Sequence, residues 1–120
     1  MNKIELGKLG ENIAEEYLKS VGHFIINRNF FNRLGEIDII SRSGNELFLV
    51  EVKTRRSLEY GHPLEFINRK KIDRIIKCYN YHQIKKKIIN PCYFVSGIGI
   101  IVDVNGEINI EYIEKIIEWV

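Results

Sequence analysis

The 120-residue chain is 45% apolar and 28% charged, the balance of a single globular domain with its own core rather than of a disordered or membrane-embedded chain. No apolar run reaches membrane-spanning length, and an amphipathic pattern starts directly after Met1-Asn2-Lys3, so neither a span nor a signal peptide is expected. The net charge of +2 conceals an asymmetry: residues 53–87 hold 11 Lys/Arg against 3 Asp/Glu, whereas the rest holds 7 against 13. Such a basic segment is the electrostatic footprint of a polyanion partner, or else a solvated helix face. Cys78 and Cys92 are too few for a disulfide framework or a zinc site, so a reducing cytoplasm is expected. His23, His62 and His82 show no ligand spacing and read as surface or packing residues.

Residues 4–21 predict a first helix, with Leu6, Leu9, Ile13, Tyr17 and Val21, joined by Ala14 and Leu18, forming an apolar stripe. Gly22 stops it. Glu11 and Glu16 border the stripe on opposite sides and Glu15 points outward; either border glutamate could reach over a sheet. Gly7 and Gly10 cost helix stability and hint at close packing or a frayed first turn. Residues 23–31 predict a strand whose core is Phe24-Ile25-Ile26, with Asn27-Arg28-Asn29 at its end. Strands over 35–40 and 46–54 follow, joined through Ser43-Gly44-Asn45. Residues 55–63 read as a loop broken by Gly61 and Pro63. A second helix is expected over 68–87 on Ile72, Ile75, Ile76, Tyr79 and Ile84, with Arg69, Lys70, Arg74 and Lys77 outward and Asn90-Pro91 ending the segment. Residues 93–104 predict a buried strand broken by Gly97 and Gly99, and Asn105-Gly106 a hairpin to residues 107–112. The stretch through Trp119 is a helical turn or coil. A strand–helix–strand crossover after a hairpin implies one parallel pairing in a mixed sheet covered by helices, an α/β fold.

The chemistry is concentrated in the central hairpin. If Gly44-Asn45 is a two-residue loop, Ser43 pairs with Glu46, which sets Asp38 opposite Glu51 and Glu36 opposite Lys53, with Cβ atoms about 4.5–5.5 Å apart. If Ser43-Gly44 is the loop, Asp38 faces Leu49 and meets Glu51 on the diagonal. An odd-length loop without a bulge would turn Asp38 to the other face. Glu51 and Lys53, two apart in a strand, share a face. Two adjacent carboxylates repel unless a cation or a proton intervenes, and hard oxygen ligands suit Mg²⁺ or Mn²⁺. A lysine beside such an ion completes equipment for phosphodiester hydrolysis. The alternative is an exposed cross-strand ion pair of little energetic weight. Isolated acids inside Ile-rich and Phe48-Leu49-Val50 surroundings favour the metal reading, because burying them is costly.

Four segments together resemble one family: Gly10-Glu11-x-x-Ala14-x-x-Tyr17-Leu18, then Gly35-Glu36-Ile37-Asp38-Ile39-Ile40, then Val50-Glu51-Val52-Lys53-Thr54-Arg55, then Gly61-x-Pro63-x-Glu65. Across residues 7–80 the chain is similar to the YraN-type family of endonuclease-like proteins, placed in the PD-(D/E)XK nuclease superfamily and similar also to archaeal Holliday-junction resolvases. The resemblance implies a restriction-endonuclease-like αβββαβ core with a central mixed sheet flanked by helices. It implies Asp38 and Glu51 as metal ligands, joined by the Val52 carbonyl, with Lys53 as the catalytic lysine and Glu11 rather than Glu16 as the helix-borne acid. Many relatives carry a Phe-Asp-containing strand where this chain has Ser96-Gly97-Ile98-Gly99.

The expected function is therefore a Mg²⁺- or Mn²⁺-dependent endonuclease acting on DNA, branched or junction DNA included. Arg55, Arg56, Lys70 and Lys71 are expected to hold the phosphate backbone. The alternative is a nucleic-acid-binding accessory module that keeps the fold without the catalysis. Resolvase-like relatives act as dimers, so a homodimer is implied, with Tyr93, Phe94 and Trp119 as interface or core residues.

Overall fold

The computed structural model describes residues 1–88 and 92–116. Its elements are α1 (Lys3–Ser20), β1 (Phe24–Asn32), β2 (Gly35–Ser43), β3 (Glu46–Arg55), a 3₁₀ turn (Pro63–Phe66), α2 (Arg69–Lys86), β4 (Tyr93–Val102) and β5 (Ile108–Ile113). The strands form one sheet in the order β1-β2-β3-β4-β5, antiparallel at every step except the parallel β3–β4 pair. The expected mixed α/β sheet is thus present, and the helices cover opposite faces. Ala14 and Leu18 of α1 pack with Ile39, Phe48, Val50, Ile98 and Ile100. Ile72, Ile75, Cys78 and Tyr79 of α2 pack with Ile37, Ile40, Leu47, Leu49 and Val95. Among the described residues no helix is long and apolar enough to cross a membrane.

Asn2 caps α1 by accepting from the Glu5 N–H at 2.8 Å while the Glu5 carboxylate accepts from the Asn2 N–H, so two otherwise orphaned donors are satisfied. The helix ends at Gly22, whose φ of +96° an L-residue would resist. Its buried line is Gly10, Ala14 and Leu18, with the smallest of them, Gly10, where the helix meets β3. The broader stripe needs correcting at one end: Val21 is exposed, because the helix has already left the sheet there. The close approach is at Gly10, where a Cβ would lie 1.7 Å from Thr54 Oγ1; Gly7 faces open space. In α2, Asn68 accepts from the Lys71 N–H. Cys78 fills the buried stripe, whereas the expected Ile84 is exposed beyond the sheet margin. Asn90-Pro91 and Trp119 lie outside the described residues.

β1 is an edge strand, and its expected core triplet is corrected accordingly. Ile25 packs toward α1, but Phe24 and Ile26 are exposed, because the opposite face is uncovered at this corner. Asn27-Arg28-Asn29 lies inside the strand rather than at its end. Arg28 pairs with Ile39 and both belong to the α1 side; Phe30 pairs with Ile37 and both belong to the α2 side. Residues two apart in a strand normally share a face. The reversal falls on Asn29, at φ +53°, and on Asp38 across from it.

Two further expectations are corrected near β4. Gly97 and Gly99 do not break the strand, which runs unbroken from Tyr93 to Val102. They clear room for the 3₁₀ turn, which starts at Pro63, the last residue of the expected loop. A Cβ on Gly99 would come within 2.9 Å of Leu64 and 3.2 Å of His62 and Pro63; one on Gly97 would come within 3.0 Å of Ile67. His62 secures the turn by accepting from the Leu64 N–H and by pairing with Glu111 of β5. The β4–β5 hairpin pairs back as expected, through a loop in which Asp103 Oδ1 accepts from the N–H groups of Asn105 and Glu107. Tyr93 and Phe94 are packing residues, their rings tilted against Tyr79 and Phe48 respectively.

Candidate active site

The hairpin takes the two-residue Gly44-Asn45 loop: Ser43 pairs with Glu46, and the ladder runs to Ile39–Val50. One step further the register sets Asp38 against Glu51, but the ladder has ended, and the Glu36–Lys53 pairing does not form. The backbone reversal at Asp38 turns its carboxylate toward β3, where Oδ2 accepts from the Val52 N–H at 2.8 Å. The side chain thereby replaces the backbone acceptor that a continued ladder would have supplied. Glu51 projects to the α2 side and is buried, its Oε1 paired with Lys71 Nζ at 2.8 Å.

Burial is the main force on Asp38; the neighbouring Glu51 charge adds to it and the Val52 N–H opposes it, leaving the carboxyl pushed up to about 7. This is the behaviour of two acids sharing one desolvated site. Lys53, two residues beyond Glu51, is shifted down, first by burial and then by the charges of Lys71 and Arg55. Its ammonium lies 5.7 Å from the Phe66 ring centroid. Asp38, Glu51, Val52 and Lys53 line one cleft of about 900 Å³ together with Glu11 and Glu36.

The two border glutamates of α1 part company. Glu11 lines the cleft, its charge adding to the rise of Asp38, while Glu16 is exposed on the far side of the helix beside Ile108 and Ile110. Glu15 does not point outward: it pairs with Lys19 and with Arg28. Arg28 also holds Glu11 at 3.3 Å and donates to Asn12 at 2.8 Å. Sequence reasoning missed Arg28, although a charged residue between apolar strand positions is a signal that an acid partner waits across the interface. Its Nε is buried without a hydrogen-bond partner among the described residues.

The four basic candidates fall into three groups. Arg55 and Arg56 line the cleft; the Arg55 guanidinium sits over Phe66, 4.4 Å from the ring centroid, and Arg56 donates to the Met1 carbonyl. Lys71 is in the cleft but engaged with Glu51. Lys70 is exposed on α2 and does not line the cleft. The pairing of Lys71 with Glu51 carried no sequence signal, since it joins elements 20 residues apart through the fold alone.

Among the described residues no three His, Cys, Asp or Glu side chains converge tightly enough to cage an ion by themselves. Two adjacent carboxylates, one of them pushed up by burial and by the charge of the other, nevertheless suit a hard divalent cation that keeps several waters. Asp38 and Glu51 would hold it, with Glu11 nearby.

Residues 10–104 match the profile of "Uncharacterised protein family UPF0102". A "UPF0102 protein" of Caldicellulosiruptor saccharolyticus is 42% identical over 90% of this chain and 92% of its own length. One of Dictyoglomus turgidum is 40% identical over 94% and 97% respectively, and one of Clostridium botulinum 46% identical over 75% and 73%.

Proposed function

We propose that this chain, which belongs to the uncharacterised protein family UPF0102, is a Mg²⁺- or Mn²⁺-dependent endonuclease of the PD-(D/E)XK type that acts on DNA. One observation carries the reading. The face of β2 reverses at Asp38, where its ladder with β3 has ended, and this sets the Asp38 carboxyl on the Val52 N–H beside buried Glu51, with Lys53 next along the same strand, and Asp38 is driven up to about 7 as a result. A stability-driven sheet would place apolar residues there, so the arrangement favours a site that awaits positive charge. A bound divalent ion supplies Lewis acidity and activates water. Asp38 and Glu51 hold the centre, Lys53, shifted down by burial and by the charges of Lys71 and Arg55, faces the attacking water or the developing charge, and Glu11, steadied by Arg28, adds acidity at the rim. Arg55 and Arg56 engage the phosphate backbone. A homodimer and a cytoplasmic setting go with this reading; the free thiols of Cys78 and Cys92 suit a reducing compartment.

The test is cleavage of a labelled panel of single strand, duplex, flap and four-way junction in Mg²⁺, Mn²⁺ or EDTA, with Glu51→Ala purified in parallel. Metal-dependent cutting lost in the variant is expected. Equal cutting by both proteins would remove the assignment.

A second reading, a binding module without catalysis, has one observation in its favour: Lys71 already neutralises Glu51 from within the protein. Thermal unfolding discriminates the two. A rise in melting temperature with millimolar Mn²⁺, absent in Glu51→Ala, supports the metal site, and no rise in either protein supports the module.

A further inference from the structure

The cleft continues past the acid pair. A second depression of about 570 Å³ shares Glu36, Glu51 and Lys71 with it and runs to the tip of the β1–β2 hairpin, where Phe31, Arg33 and Arg74 line it. The two lobes make one trough with a symmetrical order of charge. Arg33 and Arg74 stand at one end, Arg55 and Arg56 at the other, and Glu36, Asp38 and Glu51 in the middle.

Each end also presents a large aromatic ring to solvent: Phe31 is 77% exposed and Tyr60 is 79% exposed. Phe31 is the cross-strand partner of Glu36, so it stands beside the acid that lines both lobes. Tyr60 lines the other lobe with Arg55 and Arg56. Basic side chains interleaved with free aromatic faces along a groove suit a nucleic acid whose bases are unpaired. Every base has a π-face to stack, whereas in a duplex those faces are already stacked on one another.

We propose that the trough binds an unpaired stretch of DNA, with Phe31 and Tyr60 each stacking a base on either side of the phosphate that passes over Asp38 and Glu51, the backbone being held by the arginines at the two ends. What happens at that phosphate rests on the nuclease reading; the stacking does not. A four-way junction or flap would enter through its unpaired or splayed nucleotides. A blunt duplex would meet the same trough with its bases out of reach of both rings.

The experiment is fluorescence anisotropy in EDTA with labelled oligothymidylate, oligouridylate and a blunt duplex. It compares wild type, Phe31→Leu, Tyr60→Leu and Phe31→Trp, with thermal unfolding as the check that each variant is folded. Leucine keeps apolar bulk and removes the π-face, so a merely structural role would leave binding unmoved. The expected result is tighter binding of oligothymidylate than of duplex. Each leucine variant should lose roughly five- to hundredfold affinity for the single strand with the duplex unchanged, and Phe31→Trp should retain or improve it. Leucine variants that bind oligothymidylate as wild type does, or a duplex bound as tightly as the single strand, would overturn the proposal. Tighter binding of oligouridylate would overturn it in favour of RNA. The nuclease reading stands or falls separately on the Glu51→Ala cleavage comparison. Loss of that reading with the ring dependence intact leaves a single-strand-binding trough, and the converse leaves a nuclease for paired DNA.

Discussion

Asp38 is where function and stability oppose one another. Its ordinary value of 3.8 is raised to about 7 by burial and by Glu51. Between those values the folded protein holds a proton that the unfolded chain has released, so stability falls as pH rises through that window and stays low above it. About three pH units correspond to at most about 4 kcal/mol. In EDTA, Asp38→Asn keeps an acceptor for the Val52 N–H and removes the charge. It should therefore be more stable than wild type by about 2–4 kcal/mol near pH 8, converge with it near pH 4, and be inactive. His23, which burial shifts down, gives both proteins the opposite trend and cancels in the difference. Urea unfolding at both pH values measures this, and equal stability near pH 8 would mean that Asp38 carries no charge penalty. Lys71 belongs to the same account. Lys71→Met removes the counter-charge of buried Glu51, and the half-exposed pair suggests a loss of about 1–2 kcal/mol without metal. The same variant should bind Mn²⁺ more tightly in calorimetry, because the ion no longer competes with an ammonium; weaker binding would make Lys71 a supporting residue of the metal site.

At the scale of elements, two glycines of α1 make opposite predictions. Gly7→Ala meets nothing within 4 Å, so it should stabilise the protein by about 0.5–1 kcal/mol through helix propensity. Gly10→Ala gains the same propensity but drives a Cβ into Thr54, and overpacking of this kind costs about 1–3 kcal/mol. Its net effect should be destabilising and partly reversed by Thr54→Ala, a pattern that denaturant midpoints would show or refute. The helix was legible in its apolar period, but the period ranks both glycines alike; only the partner strand separates them. The same limit recurs elsewhere. Ser43-Gly44-Asn45 announced the hairpin, because turn chemistry is local, but it left more than one register open, and the Ser43–Glu46 pairing of the fold decides for the one that brings Asp38 to Glu51. The reversal of faces at Asn29 and Asp38 was not legible, since it depends on two strands distorting together. Gly97 and Gly99 were visible as glycines, yet whether a glycine breaks a strand or admits a neighbour is decided by what lies above it, here Leu64, Ile67 and His62. Phe24 and Ile26 look like core in sequence and stand at an edge in space.

At the scale of the whole molecule, the basic excess of residues 53–87 becomes informative only once the fold divides it. Arg55 and Arg56 enter the cleft, Lys71 is consumed by Glu51, and Lys70 looks outward from α2. Polyanion binding releases condensed counterions, so the logarithm of the affinity falls linearly with the logarithm of salt concentration. For single strands the slope is about −0.7 for each neutralised phosphate. If the cleft is the binding surface, Arg55→Ala and Arg56→Ala should each weaken oligothymidylate binding at low salt and flatten that slope by about 0.7, whereas Lys70→Ala should leave it unchanged. The comparison separates two geometries that net charge treats as one. A strand laid along the trough ignores Lys70; a strand laid across the outer face of α2 counts Lys70 and ignores Arg55. Salt titrations of the three variants by anisotropy decide between them, and a slope changed by Lys70 alone would move the nucleic acid away from Asp38 and Glu51 altogether.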